Sequence, residues 1–324
     1  MHPKGGVSLQ KLSIVAAVYN EEASIGPFFT ALKQVLEAAA WDYEILFVDD
    51  GSTDGSLAAL KVIAQQDPRV KLISFSRNFG HEAAMAAGID YATGDGVICM
   101  DADLQHPPQS IPEILEKLEA GYEVVNMVRT ENPDANLFRR FSSWLFYRLL
   151  NLLSPVRFQP NASDFFAISR RVAQVVRQDY RERIRYLRGY IQTLGFPSAT
   201  VSYKAAKRFA GKSKYSFFKR MSMCFNVLCS FSDLPLKLGI YSGCGVGLLG
   251  LIIMLYSIIV KLVWGAPSGY TTIVVALCFL FAVTLFVIGI IGQYIAVLFA
   301  EVKGRPVYVV RQTVNLADKE PGAV

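Results

Sequence analysis

Two carboxylates one residue apart, Asp101 and Asp103, follow directly on the apolar run Val97-Ile98-Cys99-Met100. Side chains at i and i+2 on a departing strand can face one divalent ion once the chain turns. Hard carboxylate oxygens suit Mg²⁺ or Mn²⁺. Gln105 offers a neutral oxygen, and a nucleoside diphosphate would supply the remaining ligands. His106 is adjacent, but Pro107-Pro108 are expected to turn it away. The spacing alone is weak evidence, because solvated turns carry it often; the surrounding motifs give it weight.

Ala17-Val18-Tyr19-Asn20-Glu21-Glu22 ends one apolar run, Val48-Asp49-Asp50-Gly51-Ser52-Thr53-Asp54 ends a second, and Phe75-Ser76-Arg77-Asn78-Phe79-Gly80 ends a third. Tyr19 can stack beside a base, Asp50 can accept from a ring N–H, and Arg77 can meet a phosphate. Capping and turn chemistry is the plainer account of Asp49, Asp50 and Ser52 taken alone. No GxxxxGKS loop is present, and Gly94 and Gly96 do not form GxGxxG. A diphosphate would therefore be held mainly by metal and basic side chains.

The elements that must position these groups alternate along residues 12–130. Runs 12–18, 44–48, 70–75, 96–100 and 123–128 read as buried strands of a parallel sheet, and 21–40, 54–66, 80–91 and 110–120 as helices between them. Asp54 and Pro112 suit helix entry. The order predicts a doubly wound, Rossmann-like α/β sheet that binds ligands at the carboxyl ends of its strands, where every motif above falls.

Hydrophobic residues make up 52% of the 324, and the surplus lies towards the C-terminal end. Segments 238–264 and 271–300 hold one charge between them, Lys261, and each exceeds the roughly 20 residues that a hydrocarbon core requires. Lys212, Lys214, Lys219, Arg220 and Lys237 precede the pair, and Lys303, Arg305 and Arg311 follow it. The positive-inside rule then predicts a multi-pass membrane protein with both flanks of the pair, and so both termini, cytoplasmic and the short turn between them outside. Segments 137–153 and 215–231 read as basic amphipathic helices at the membrane interface; packing on the sheet domain is the alternative. The expected division is an α/β core over 1–134, a region with the amphipathic helices over 135–235, a two-helix hairpin over 236–302 and a tail over 303–324, disordered after Val314. The net charge of +6 gathers between residues 129 and 220, beside the apolar end, which favours membrane phosphates over nucleic acid. Five cysteines without a CxxC pair read as reduced thiols.

VYNEE (18–22), VDDGSTD (48–54), SRNFG (76–80) and DADLQHPP (101–108) together resemble family 2 glycosyltransferases of the GT-A fold. SDFFAISRR (163–171), the run from Arg208 to Tyr215, two apolar C-terminal segments and Gly304-Arg305-Pro306 resemble the polyprenyl-phosphate branch, which includes dolichyl-phosphate mannose synthase and bacterial undecaprenyl-phosphate glycosyltransferases. The resemblance implies that Ala17, Tyr19, Glu21 and Asp50 hold the nucleoside. It places Asp101 and Ala102 at the donor, with Asp101 against the donor or a metal-bound water and Asp103 and Gln105 as direct metal ligands. Arg129, Arg208, Ser213 and Lys214 would receive the lipid phosphate or the donor diphosphate. Asp164 would orient the sugar or cationic side chains; a structural ion pair with Arg170 or Arg171 is the alternative. Phe166 stands where relatives commonly carry Arg near the acceptor site.

A phosphate acceptor is mostly dianionic at pH 7 and needs no general base. The work left to the protein is to join two anions and stabilise a departing diphosphate, with inversion at the anomeric carbon. Three histidines and abundant Arg and Lys agree with that division of labour. The partners expected are a nucleotide-sugar, polyprenyl phosphate, membrane lipids and further copies of the chain, with no nucleic acid. Two rivals remain. A processive polysaccharide synthase would carry Gln-x-x-Arg-Trp, and none of Trp41, Trp144 and Trp264 stands in that context. A non-catalytic membrane scaffold would not need the acidic and nucleotide motifs.

Overall fold

The computed structural model describes residues 9–38, 41–131, 148, 162–182, 186–204, 234–264 and 269–316. Both amphipathic segments expected at the interface, apart from Arg148, lie outside them, as do Arg208, Ser213 and Lys214.

Four parallel strands, β1 (Lys11–Val18), β2 (Asp42–Asp49), β3 (Val70–Phe75) and β4 (Gly96–Asp101), alternate with α1 (Glu22–Ala38), α2 (Ser56–Gln66) and α3 (His81–Tyr91). A short 3-10 turn, Pro108–Ser110, leads into α4 (Ile111–Glu119), with Pro112 in its first turn, and then β5 (Val124–Glu131). Strands β6 (Ala162–Ser169) and β7 (Ser198–Lys204) flank α5 (Arg170–Asp179) and α6 (Leu187–Thr193). With β8 (Val310–Val314) they complete one eight-stranded sheet ordered β7-β5-β6-β4-β1-β2-β3-β8.

The five expected strands all run in one direction, as a parallel sheet requires, but β6, β7 and β8 were not expected, and β6 and β8 make the sheet mixed. Strand β6 enters antiparallel between β4 and β5, with Cys99 opposite Phe166, and β8 closes the other edge antiparallel to β3. Neither segment was among the apolar runs read as strands: β6 carries Ser163, Asp164 and Ser169, and β8 carries Arg311 and Gln312. The tail expected after residue 303 thus contributes an edge strand.

Both faces of the sheet are covered. Along β1, Leu12, Ile14, Ala16 and Val18 enter the cluster that includes Phe28, Leu32 and Leu60 of α1 and α2, while Val15 enters the cluster built on α3 and α5. Helix α3 sits so close that a Cβ on Gly88 would lie 2.0 Å from a Val15 methyl. Its run of alanines is the sequence counterpart of that approach.

One buried charge braces the far end of the sheet. Glu44, 2% exposed in its side chain, accepts from Ser13 Oγ, Thr93 N and Lys71 Nζ and pairs with Lys11 at 3.2 Å. Burial alone would raise its pKa; hydrogen bonds from Lys71, Ser13 and Thr93 outweigh that and bring it to about 2, from an ordinary 4.5. A depressed folded-state pKa gives stability that is present above the unfolded value and lost as pH falls through the folded one. Glu44→Gln is therefore expected to cost ~2–4 kcal/mol at pH 7. Thermal unfolding should also show a weaker acid dependence between pH 4.5 and 2 than the parent protein. An unchanged Tm would count against the bracing role.

A second unit runs through residues 215–305 and is built on two helices, α7 (Leu234–Trp264) and α8 (Tyr270–Val302), packed against each other. Among the described residues one stretch, Phe279–Val302, is long and apolar enough to cross a membrane, with mean hydropathy 2.3 and 6% of its most apolar window buried. Its Phe281, Leu285, Phe286 and Leu298 are all exposed, so no single stripe faces a core. Helix α7 holds a shorter apolar stretch, Gly239–Ile253.

Candidate active site

The four parallel strands end at one edge, and Ala17, Tyr19, Glu21, Asp50, Arg77, Asp101, Asp103 and Gln105 lie at or just beyond their ends. Ala17 stands in register with Asp101 on one side and Val48 on the other. Beyond β1, Tyr19 and Glu21 are half-buried, and the turn is laced to the one after β2: Asn20 N donates to Ser52 Oγ, Glu21 N to Ser56 Oγ, and Thr53 N to Asn20 Oδ1. Asn20 holds φ 54°, a left-handed conformation that Asn tolerates better than most residues.

Asp50, expected at the nucleoside, makes close contacts within the protein. It is 3% exposed, and its carboxylate accepts from Asn78 Nδ2 at 2.9 Å, Phe79 N at 2.6 Å and Gly80 N at 2.9 Å. Burial raises its pKa against those bonds. These contacts pin the SRNFG turn to β2. Asp49 is likewise turned inward, to Ser52 N and Ser74 Oγ. Arg77 is exposed, its guanidinium 4.1 Å above the Phe79 ring.

The acidic cluster forms where β4 ends and β6 begins. Because β6 runs antiparallel to β4, its first residues reach the edge that β4 leaves by, so Asp164 joins Asp101 although 63 positions separate them in the chain. Asp103 is 5% exposed, and its Oδ1 accepts from Gln105 N at 3.0 Å across Leu104, which holds φ 63°. Ala102 is buried at 1%. Burial raises the Asp101 pKa, and the neighbouring Asp103 and Asp164 add to the rise against His81 and Arg129. Asp164 pairs with Arg188 at 3.4 Å, whose charge lowers its pKa against burial. Arg170 and Arg171 pair instead with Asp95 and Glu123.

Three basic side chains face the carboxylates. His81 Nε2 lies 3.4 Å from Asp101 Oδ1 and 4.0 Å from Asp164 Oδ2; burial opposes its charge, but these carboxylates prevail and its pKa is raised. Arg188 comes from α6, whose Leu187 N–H donates to Glu82 Oε2. Arg129 leaves β5 with Nε donating to Tyr203 Oη at 2.9 Å. His106 is fully buried, stacked on Phe165, and its Nδ1 accepts the Asp101 N–H at 2.9 Å. Burial and Arg129 press its pKa down to about 3, so the ring is neutral. A neutral imidazole accepting at Nδ1 carries its proton on Nε2. The Arg129 Nη2 at 3.2 Å from that nitrogen then meets a donor, and Tyr203 is its hydrogen-bond acceptor among the described residues. Arg129 is left with donors for an anion.

Hard oxygens with mutually repelling charges are the donor set that a divalent cation neutralises. Among the described residues no group of three or more His, Cys, Asp or Glu forms a ready metal cage. The acidic pair therefore fits Mg²⁺ or Mn²⁺ provided a diphosphate brings further oxygens.

The Glycosyl transferase family 2 profile matches residues 13–177, which spans β1 to α5 and thus the whole acidic edge. An uncharacterised glycosyltransferase of Bacillus subtilis, YkcC, is 37% identical over 311 residues, covering 95% of each chain. This chain is a family 2 glycosyltransferase. The SfII prophage-derived bactoprenol glucosyl transferase of Shigella flexneri is 36% identical over 94% of the glycosyltransferase described here and 98% of its own length. Among solved structures, glucosyl-3-phosphoglycerate synthase of Mycobacterium tuberculosis superposes with a TM-score of 0.48 at 18% identity, over 68% of this chain and 76% of that one.

Three residues at this edge, His81, Glu82 and Arg188, escaped the reading of the sequence, and a fourth, His106, was misjudged. His81 opens α3 straight after the SRNFG turn, a position at the strand-end edge that could have flagged it. His106 was expected to point away; it does leave the surface, but as a prop beneath Asp101. Arg188 carries no local signal, since α6 reaches the edge only through the tertiary fold. Phe166, expected near the acceptor, is 2% exposed in the core cluster on the α3 side.

Proposed function

We propose that this glycosyltransferase moves a sugar from a nucleoside diphosphate sugar, in the first instance a UDP-sugar, onto polyprenyl (undecaprenyl) phosphate at the cytoplasmic face of the plasma membrane. The observation that carries the reading is the meeting of Asp101, Asp103 and Asp164 with Arg129 and Arg188 on one sheet edge, in a chain that also holds an apolar stretch, Phe279–Val302, long enough to cross a membrane. The bactoprenol glucosyl transferases of Shigella make glucose the first sugar to test. Both α7 and α8 would cross the bilayer, with basic flanks inside.

In the proposed reaction an acceptor phosphate oxygen attacks the anomeric carbon, the bond from that carbon to the diphosphate breaks, and the nucleoside diphosphate departs with inversion. Tyr19 stacks on the base, and Ala17 and Glu21 line the nucleoside. Asp50 shapes this region by fixing the SRNFG turn, from which Arg77 reaches the diphosphate. A divalent cation held by Asp101, Asp103 and Gln105 would supply the charge that makes the diphosphate a better leaving group. Arg129 and Arg188 add fixed positive charge where negative charge develops, and Asp164 keeps Arg188 and His81 in place. Arg208, Ser213 and Lys214 receive the lipid phosphate.

The test is incubation of the purified protein with radiolabelled UDP- and GDP-sugars, polyprenyl phosphate and Mn²⁺ or Mg²⁺, followed by organic extraction. Label is expected in the organic phase with one nucleotide class and should be abolished by EDTA. Label that stays aqueous with every donor would overturn the reading, as would growth of a polymer.

A further inference from the structure

The segment that follows α8 in the chain ends a continuous stack of side chains whose other end is Arg77. Tyr308 lies parallel to Phe75, ring centroids 5.1 Å apart and planes within 10°. Phe75, 1% exposed, meets Phe79 edge-on at 5.7 Å. Phe79 in turn carries the Arg77 guanidinium 4.1 Å from its centroid. The outer end is anchored as well: Tyr308 Oη donates to Asp90 Oδ2 at 2.7 Å, and Asp90 is gripped by Arg181 through both oxygens at 2.8 and 2.9 Å.

The backbone repeats the connection. Ser76 N, the first amide of the SRNFG turn, donates to Val309 O at 2.9 Å, and the β3–β8 ladder shifts register between Ser74 and Phe75. A bulge at that point re-aims the strand end that enters the turn. Farther along, Asn315 Nδ2 donates to Ala64 O and Val70 O, tying the end of β8 to α2 and the start of β3.

We propose that residues 306–316 are a positioning strap for the donor site: Tyr308, through Phe75 and Phe79, sets where Arg77 and the SRNFG turn present themselves to the donor diphosphate. This rests on the reading of that edge as the nucleotide-sugar site. The physical warrant is that Asp50 fixes the turn only at its far end, through Asn78, Phe79 and Gly80. The near end, Ser76, depends on the strap. A ring packed on both faces has few rotamers, so each member of the stack limits the next. The same strap follows the apolar helix after only a few residues, so the peptide that leaves the membrane segment is the one that organises the donor turn.

The experiment compares full-length parent protein, Tyr308→Ala and Tyr308→Phe in detergent micelles. It measures hydrogen exchange of the 76–80 peptide together with initial rates against donor and against polyprenyl phosphate. Tyr308→Ala is expected to speed exchange in 76–80 by about tenfold while β2 keeps its protection, and to raise the donor KM about five- to tenfold with the acceptor KM within twofold. Tyr308→Phe keeps the ring and loses the Asp90 bond, so its donor KM should return to within about threefold of the parent. Unchanged exchange in 76–80 would overturn the proposal. So would faster exchange with an unaltered donor KM, or equal changes in both KM values with a general loss of protection, the mark of a merely structural residue. If the parent transfers sugar from no donor, the functional reading fails, and the exchange comparison still decides whether the strap holds the turn.

Discussion

Asp101→Asn is expected to lower kcat at least ~100-fold while leaving the protein as stable as the parent or more so. The side chain keeps its size, so the β4 terminus and the Asp101 N–H to His106 Nδ1 bond survive. What disappears is a half-buried charge that the fold disfavours. Burial raises this carboxyl, and Asp103 and Asp164 raise it further, so the ionised form is held at a cost at neutral pH. With the side chain still 25% exposed, relief of that cost is worth only ~1–2 kcal/mol, partly offset by the lost attraction to His81. Asp103→Asn should match the loss of activity. The checks are initial rates of lipid-linked sugar formation and thermal unfolding of the same preparations. Asp101→Asn keeping more than ~10% of parental kcat would mean the departing diphosphate is stabilised elsewhere.

Gly51→Ala is expected to destabilise the core by ~3 kcal/mol or more and to weaken nucleotide binding at least tenfold. Gly51 holds φ 68°, where an L side chain is strained by ~1–2 kcal/mol. An added Cβ would also lie 2.4 Å from the Arg77 carbonyl carbon and 2.7 Å from Asn78 N. Those are backbone atoms of the SRNFG turn and cannot swing aside as a flexible side chain would. Asp50, next in the chain, holds the same turn by its Phe79 and Gly80 amides, so the turn cannot retreat without breaking those bonds. The predicted result is a lower Tm together with a UDP affinity, measured by calorimetry, that drops further than the parent's does at the same fraction folded. Parental values for both would show that the two turns are not in contact in solution.

What could be read from the chain without coordinates was whatever depends on near neighbours in sequence. Buried strands announce themselves as apolar runs, and the turns after β1, β2, β3 and β4 carry their polar groups within a few residues of the strand that delivers them. The four motifs were therefore legible, as was their arrival at one edge, because parallel strands joined by helices must end on the same side. Asp101, Asp103, Ala17, Tyr19 and Arg77 needed no more than that.

Only the tertiary structure decided the rest. Strand β6 runs antiparallel, which brings Asp164 to Asp101; β7 supplies Tyr203 to hold Arg129; α6 carries Arg188 to Asp164; and the segment leading into β8 returns after the apolar helices to stack Tyr308 on Phe75 at the end of β3. Each is a contact between residues far apart in the chain. Asp50, read from its type and place as a ligand-facing acceptor, accepts from the backbone amides of a second turn. Local pattern determined which groups reach the edge; long-range pairing determined which of them face one another there.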